Sequence, residues 1–140
     1  RAANDDTAYT RNSVRKELLP LLAERYNAEI VPALARTALL LGEDADFLTQ
    51  TADAAYARLV TSAEDGLHIA LKPLLAEHIA VRLRVLRHAY FELGGSELSF
   101  ERSRALAALC ERRSGGRLIQ LPGGITATIK NKQIIFTRLS

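Results

Sequence analysis

From Ile30 to Leu59, apolar residues recur at Ile30, Leu34, Ala38, Leu41, Ala45, Leu48, Ala52, Ala55 and Leu59. Steps of four and three commit this whole stretch to one long helix, because only a helical period returns such positions to one side. The seam is coiled-coil-like, and its alanine-rich centre lets a neighbouring helix approach closely. Such a helix packs in a bundle or crosses a domain junction; a dimer seam is the sharper alternative. Gly42 is expected to bend it, and "TSAEDG" at 61–66 to end it.

The segment before this helix carries an unusual stripe. In "YTRNSVRKELLPLL" (9–22), Val14, Leu18, Leu21 and Leu22 gather on one side of a helix, with Ser13, Lys16, Glu17, Pro20 and Glu24 on the other. Arg11 and Arg15 extend the apolar stripe, within about 40° of Leu18 and Leu22. Like charges at i and i+4 cost a helix a few tenths of a kcal/mol, and aiming them toward apolar surface adds desolvation. Either an anion meets their planar forks, or both snorkel or pair locally with Asp5, Asp6 and Glu17. Asp6, Thr7 or Thr10 is a candidate cap for a helix beginning near Arg11. Pro20 predicts a kink or shallow stop near Lys16 to Pro20, and Asn27 a cap or turn.

After the seam, "LHIALKPLL" suits a short extended stretch. Pro73 then opens a helix reaching about Leu93, stopped by Gly94 and Gly95. Ser99 caps the next helix, "FERSRALAALCERR", and "SGG" at 114–116 closes it. The tail changes period: "RLIQL", "ITATIK" and "QIIFTRL" are strands separated by "PGG" and "NK". Ile125, Ala127 and Ile129 should share a face, as should Ile134 and Phe136. The expected class is α+β: about four helices followed by a small antiparallel sheet.

Charge is unevenly spread. Residues 1–73 carry 8 basic and 11 acidic side chains, net −3; residues 74–140 carry 11 and 5, net +6. A basic C-terminal half points to a polyanionic partner, nucleic acid first. Arg84, Arg87 and His88 form one basic group, with Arg112, Arg113 and Arg117 following the next helix. Their functional reading is contact with a phosphate backbone, which fixes register without reading bases; the plain one is a solvated face. The single cysteine, Cys110, cannot make an internal disulfide and reads as a small buried apolar residue. His68, His78 and His88 are scattered without metal-ligand spacing. The glycine pairs do not read as phosphate loops, because "GGSE" joins two helices and "SGGRLI" runs from helix into strand. No apolar run approaches the ~20 residues needed to span a bilayer, so a soluble cytoplasmic protein is expected. The chain begins at Arg1 and contains no methionine, so a processed or partial chain is expected.

"NDDTAYTRNSVRKELLPLL" resembles the end of the catalytic domain of the tRNA(Ile)-lysidine synthetases. The family's pattern there is (S/T)N-x-D-x-x-(Y/F)-x-RN-x-(I/V/L)-R-x-x-(L/V)-(L/V)-P-x-L. Asn4, Asp6, Tyr9, Arg11, Asn12, Val14, Arg15, Leu18, Leu19, Pro20 and Leu22 all fall on it without gaps. The chain departs from the pattern at Arg1, where the family usually has Asp, and at Ala3, where it has Ser or Thr. "LARTALLLGEDADFL" is similar to the family's linker helix, "RLRVLRHAY" to the arginine-rich helix of its substrate-binding domain, and "LIQLPGGITATIKNKQIIF" to that domain's closing strands.

The resemblance implies a C-terminal part of a ligase that joins lysine to the wobble cytidine of the isoleucine tRNA bearing a CAU anticodon. ATP adenylates the cytidine at C2 and the lysine ε-amine displaces AMP; the product pairs with A rather than G. ATP, with Mg, would bind at an SGGxDS loop expected upstream, so catalytic residues are not expected in this chain. By the resemblance, residues 1–26 end the catalytic domain, 27–62 form the linker helix and 63–140 bind tRNA. Arg11, Asn12 and Arg15 would face the substrate, and Arg84, Arg87 and Arg113 the tRNA. Expected partners are the tRNA, lysine and ATP, with a homodimer possible on the alanine seam and no membrane. The alternative is a non-catalytic, winged-helix-like nucleic-acid-binding module.

Overall fold

A computed structural model describes residues 2–112 and 116–139, excepting the side chains of 2–7. Arg113 and the Ser114–Gly115 pair of the predicted helix stop lie outside the described residues. The chain divides into two compact units, Arg1–Ala45 and Asp46–Ser140.

In the first unit, α1 (Ala2–Ser13) leads through a π-helical turn (Val14–Leu18) into α2 (Leu19–Arg25). The helix therefore begins well before Arg11, and Asp6, Thr7 and Thr10 lie within it rather than at its start. Pro20 gives neither a break nor a full stop. It has no N–H to offer and its ring crowds the carbonyl four residues back; the chain absorbs this by widening one turn. Leu19 N–H bonds to the Val14 oxygen, five residues back, the hydrogen bond that defines a π turn. Asn27 acts as a turn residue: its side chain accepts from Glu29 N–H at 2.9 Å and its carbonyl from Ile30 N–H at 3.0 Å.

The helix α3 (Ile30–Leu59) runs its thirty residues unbroken through Gly42. Its seam is used unevenly. Ala52, Ala55 and Leu59 are buried, whereas Leu34 and Leu41 are 46% and 62% exposed. No side chain described from Ala8 to Ala45 is buried.

The second unit holds the core. Strands β1 (Val60–Ala63) and β2 (Gly66–Ala70) form a hairpin directly after α3. Short α4 (Leu71–Leu75), then α5 (Ile79–Glu92) and α6 (Phe100–Arg112), precede β3 (Leu118–Leu121), β4 (Ile125–Lys130) and β5 (Gln133–Arg138). The sheet is antiparallel, in the order β1-β2-β5-β4-β3. The α+β class holds, with the sheet larger than its tail alone because β1 and β2 join it through β5. The predicted helix from Pro73 to Leu93 is two helices, since His78 leaves the helical conformation (ψ 147°) and caps α5, its Nδ1 accepting from Ala80 N–H at 3.0 Å.

Side-chain alternation sets the register as the sequence implied. Ile125, Ala127, Ile129, Ile134 and Phe136 are all at most 1% exposed and face the helices. Asn131 and Lys132 both take positive φ, 53° and 60°, the geometry of a tight two-residue hairpin turn matched to strand twist. "PGG" turns β3 into β4, with Gly123 and Gly124 at φ 84° and 73°. Ser99 caps α6 through its hydroxyl, which accepts from Arg102 N–H at 3.1 Å. Cys110 is buried in α6, and burial pushes its thiol up to about 12, so it behaves as a small apolar group.

Tyr90 pins the helical layer to the sheet. Its ring is buried and its hydroxyl donates to the Pro122 carbonyl at 2.8 Å. The loop after α5 crosses that ring at Gly95, where a Cβ would run into the Tyr90 ring carbons.

A cationic groove beside α5

Within the second unit, α5 shows two faces. Val81, Val85, Leu86, Ala89 and Tyr90 turn into the core. Arg84, Arg87, His88 and Phe91 recur at i, i+3, i+4 and i+7, the spacing of one helical stripe, and line a groove of about 460 Å³. Thr49, Ala52 and Asp53, one stripe of α3, form its second wall, and Ser96, Glu97 and Leu98 its third. The core contacts of Ala52 and the Gly95 crossing over Tyr90 hold those walls in place.

Electrostatics mark this groove out. Arg84 is half-buried and Nη1 donates to the Ala80 carbonyl at 3.1 Å, tethering the guanidinium along the helix. Arg87 is half-buried too, with no hydrogen bond or ion pair among the described residues. Burial, and then the charge of Arg84, pull its basicity below the usual guanidinium range. Both causes penalise the cation, and the attraction of an anion seated between the two side chains would offset them. Contrast Arg82 on the same helix, whose Nε donates to the Glu77 carbonyl at 3.0 Å and Nη1 to Glu111 Oε1 at 3.4 Å. Arg82 is committed to holding the unit together; Arg84 and Arg87 are left for something else.

His88 is oriented firmly. Its ring stacks on Tyr56 at 3.8 Å between centroids, and Nε2 lies 3.3 Å from Glu92 Oε1. Asp53 Oδ1 stands 3.9 Å from Nδ1, an ion-pair distance too long for a hydrogen bond. Burial, with Glu92 nearby, raises the Tyr56 hydroxyl's pKa.

The remaining sequence-predicted residues fall elsewhere. Arg11, Asn12 and Arg15 belong to the first unit, where all three are exposed and Arg15 Nη2 donates to Asn12 Oδ1 at 3.2 Å. The apolar stripe they extend is itself largely open: Val14, Leu18 and Leu21 are 37%, 45% and 42% exposed. The π turn also puts one additional residue between the arginines and Leu21 and Leu22, shifting the phase that a uniform α-helix assigns. Arg112 and Arg117 line a smaller groove of about 300 Å³ between α6 and β3. Sequence reasoning placed Arg84, Arg87 and His88 on one helix but missed Phe91, whose i+7 spacing from Arg84 was the available signal. Asp53 and Glu97 carried no signal, since only the packed fold brings them to the groove.

Among the described residues, no group of three or more His, Cys, Asp or Glu stands close enough to hold a metal ion. Of the glycine pairs, Gly94–Gly95 follows α5 and Gly123–Gly124 turns β3 into β4. No described helix is long and apolar enough to cross a membrane.

Two half-buried arginines without ion-pair partners in one groove of a small α+β unit offer a seat for an anionic group. Comparison with known proteins agrees: residues 69–130, which include all of α5 and α6, match the TilS substrate binding domain family. The chain is 37% identical over 121 residues to a tRNA(Ile)-lysidine synthase of Leifsonia xyli, covering 86% of this chain and 36% of the relative. It is 38% identical over 134 residues to that of Streptomyces coelicolor, covering 94% and 37%, and 37% identical over 136 residues to that of Thermobifida fusca, covering 94% and 40%. The chain thus spans well under half the length of the curated relatives it matches. The resemblance read from its first residues is borne out: the chain belongs to the tRNA(Ile)-lysidine synthase family, and residues 69–130 match that family's substrate binding domain.

Proposed function

We propose that this chain is the tRNA-contacting part of a cytoplasmic ligase. That ligase uses ATP to attach lysine to the wobble cytidine of the CAU-anticodon isoleucine tRNA. The observation that carries the reading is the pair Arg84 and Arg87, half-buried and unneutralised inside the segment that matches the substrate binding domain. Two neighbouring guanidiniums, that of Arg84 tethered along the helix, suit phosphate oxygens of the tRNA backbone, where they set register while the chemistry proceeds elsewhere. Arg113 is a further tRNA contact.

In this reading residues 1–26 close the catalytic domain, 27–62 link it, and 63–140 hold the tRNA. Arg11, Asn12 and Arg15 face the substrate. ATP, its Mg and lysine bind on residues outside these 140, and this chain supplies binding and positioning alone. The open half of the α3 seam, with Leu34 and Leu41 exposed, supports a homodimer packed through it.

The test uses the full-length protein. Arg84→Gln with Arg87→Gln should weaken tRNA binding, and the slope of log affinity against log salt should become shallower by about 2. Unchanged affinity and slope would show that these arginines meet no phosphate. Failure of the unaltered protein to incorporate lysine into the isoleucine tRNA would refute the reaction itself.

A further inference from the structure

We infer that the groove beside α5 seats a single unpaired nucleotide of an RNA strand, its phosphate on Arg84 and Arg87 and its base against Phe91. The inference rests on the tRNA-binding reading and sharpens it, because a duplex backbone and a splayed nucleotide ask for different surfaces.

A groove that tracks a continuous backbone is positively charged along its length. This groove is not. Its cationic part is confined to Arg84 and Arg87, while Asp53 and Glu97 line it as well. Asp53 has only the distant His88 as partner, and Glu97 has none among the described residues. Those carboxylates repel a second phosphate, and they accept hydrogen bonds from an amino-bearing base edge. Phe91 stands in the same stripe yet is 66% exposed, an aromatic face kept in water one helical turn beyond His88. Unstacked bases are bound on such faces. Ala52 and Leu98 add apolar wall, and about 460 Å³ is room for one nucleotide rather than several. A cationic seat, an aromatic and apolar wall and acceptor carboxylates thus share one groove. A nucleotide with adenine or cytosine suits that set better than one with uracil, which offers no amino group.

The test titrates the 140-residue chain with AMP, UMP and ribose 5-phosphate, with single-stranded heptaadenylate, and with a blunt G·C-rich RNA duplex. Groove resonances followed by NMR give the affinities. AMP should bind at least about fivefold tighter than ribose 5-phosphate, the effect of stacking one base on an aromatic side chain, and tighter than UMP. Phe91→Ala, a change at an exposed position, should remove the advantage over ribose 5-phosphate, and Arg87→Gln should weaken AMP and ribose 5-phosphate alike. The single-stranded heptamer should exceed both AMP and the duplex. Equal binding of AMP and ribose 5-phosphate overturns the nucleotide inference and leaves the phosphate contact standing. AMP binding with no gain for the heptamer overturns the assignment to an RNA strand in favour of a free mononucleotide. If neither AMP nor ribose 5-phosphate perturbs the groove, the inference and the reading beneath it fall together.

Discussion

His68 projects from the side of β2 opposite buried Ile69, with both ring nitrogens engaged. Nε2 lies 2.7 Å from Asp65 Oδ1 and Nδ1 3.1 Å from Gln133 Oε1. Hydrogen bonds to Asp65 first and Gln133 second raise its pKa, while His68 holds the Asp65 carboxyl below the usual carboxylate range. The signs oppose each other. A raised histidine stabilises the fold fully below its unfolded value of about 6.5, and that contribution disappears as pH climbs through the folded value. A depressed aspartate contributes above about 4 and is lost as pH falls. The pair therefore stabilises most between those limits. The melting temperature of the unaltered chain should drop relative to His68→Gln between about pH 5.5 and pH 8; a constant difference would refute this linkage. Arg11 and Arg15 are also matters of single side chains. In the full-length protein, alanine at either should lower lysidine formation at least tenfold, about 1.4 kcal/mol of transition-state stabilisation, measured as kcat/KM. Unchanged turnover for both would mean that they are solvent-facing helix residues.

At the scale of elements, the hairpins and helices differ in how openly the sequence declares them. Asn131-Lys132 and Pro122-Gly123-Gly124 announce turns because few residues adopt positive φ, and the flanking alternation of Ile125, Ala127 and Ile129 then fixes the buried face. By contrast β1, "VTSA", is exposed along most of its length and has no alternation to read; it becomes a strand because β2 pairs with it. The break between α4 and α5 is set by His78 folding back on Ala80 N–H, an interaction that helical periodicity does not encode. Two walls of the groove were equally hidden, since Asp53 and Glu97 come from separate elements. Gly95 shows what keeps one of those walls in place. Gly95→Ala forces a methyl onto the Tyr90 ring, and overpacking of this kind should cost about 1–3 kcal/mol in urea unfolding. Wild-type stability in that variant would mean that the loop shifts freely.

For the molecule as a whole, the division at residue 45 separates two kinds of stability. Among the described residues, every buried apolar side chain lies between Ala52 and Phe136, so the second unit owns the hydrophobic driving force. The described first unit is largely helical, with most of its leucines exposed and Leu19 and Leu22 half-buried, and helices in water depend on a packed apolar face. Deleting residues 1–45 should therefore leave a cooperative thermal transition within about 5 °C of the whole chain's, whereas residues 1–45 alone should show little helix by circular dichroism. Loss of the transition on deletion would show that the open seam is essential to the core.

The strand order carries a consequence for how such a chain is made. β5 lies in the middle of the sheet yet comes last of the five in sequence, and its neighbour β2 precedes it by more than sixty residues. On the ribosome, the first hairpin must wait, with one edge uncovered, through the synthesis of α5, α6 and the second hairpin. At about 5–20 residues per second that interval lasts several seconds. High contact order slows folding for the same reason. Termination between Lys130 and Gln133 would release two unjoined halves of a sheet, and termination before Leu118 the first hairpin alone, with bare edges open to aggregation.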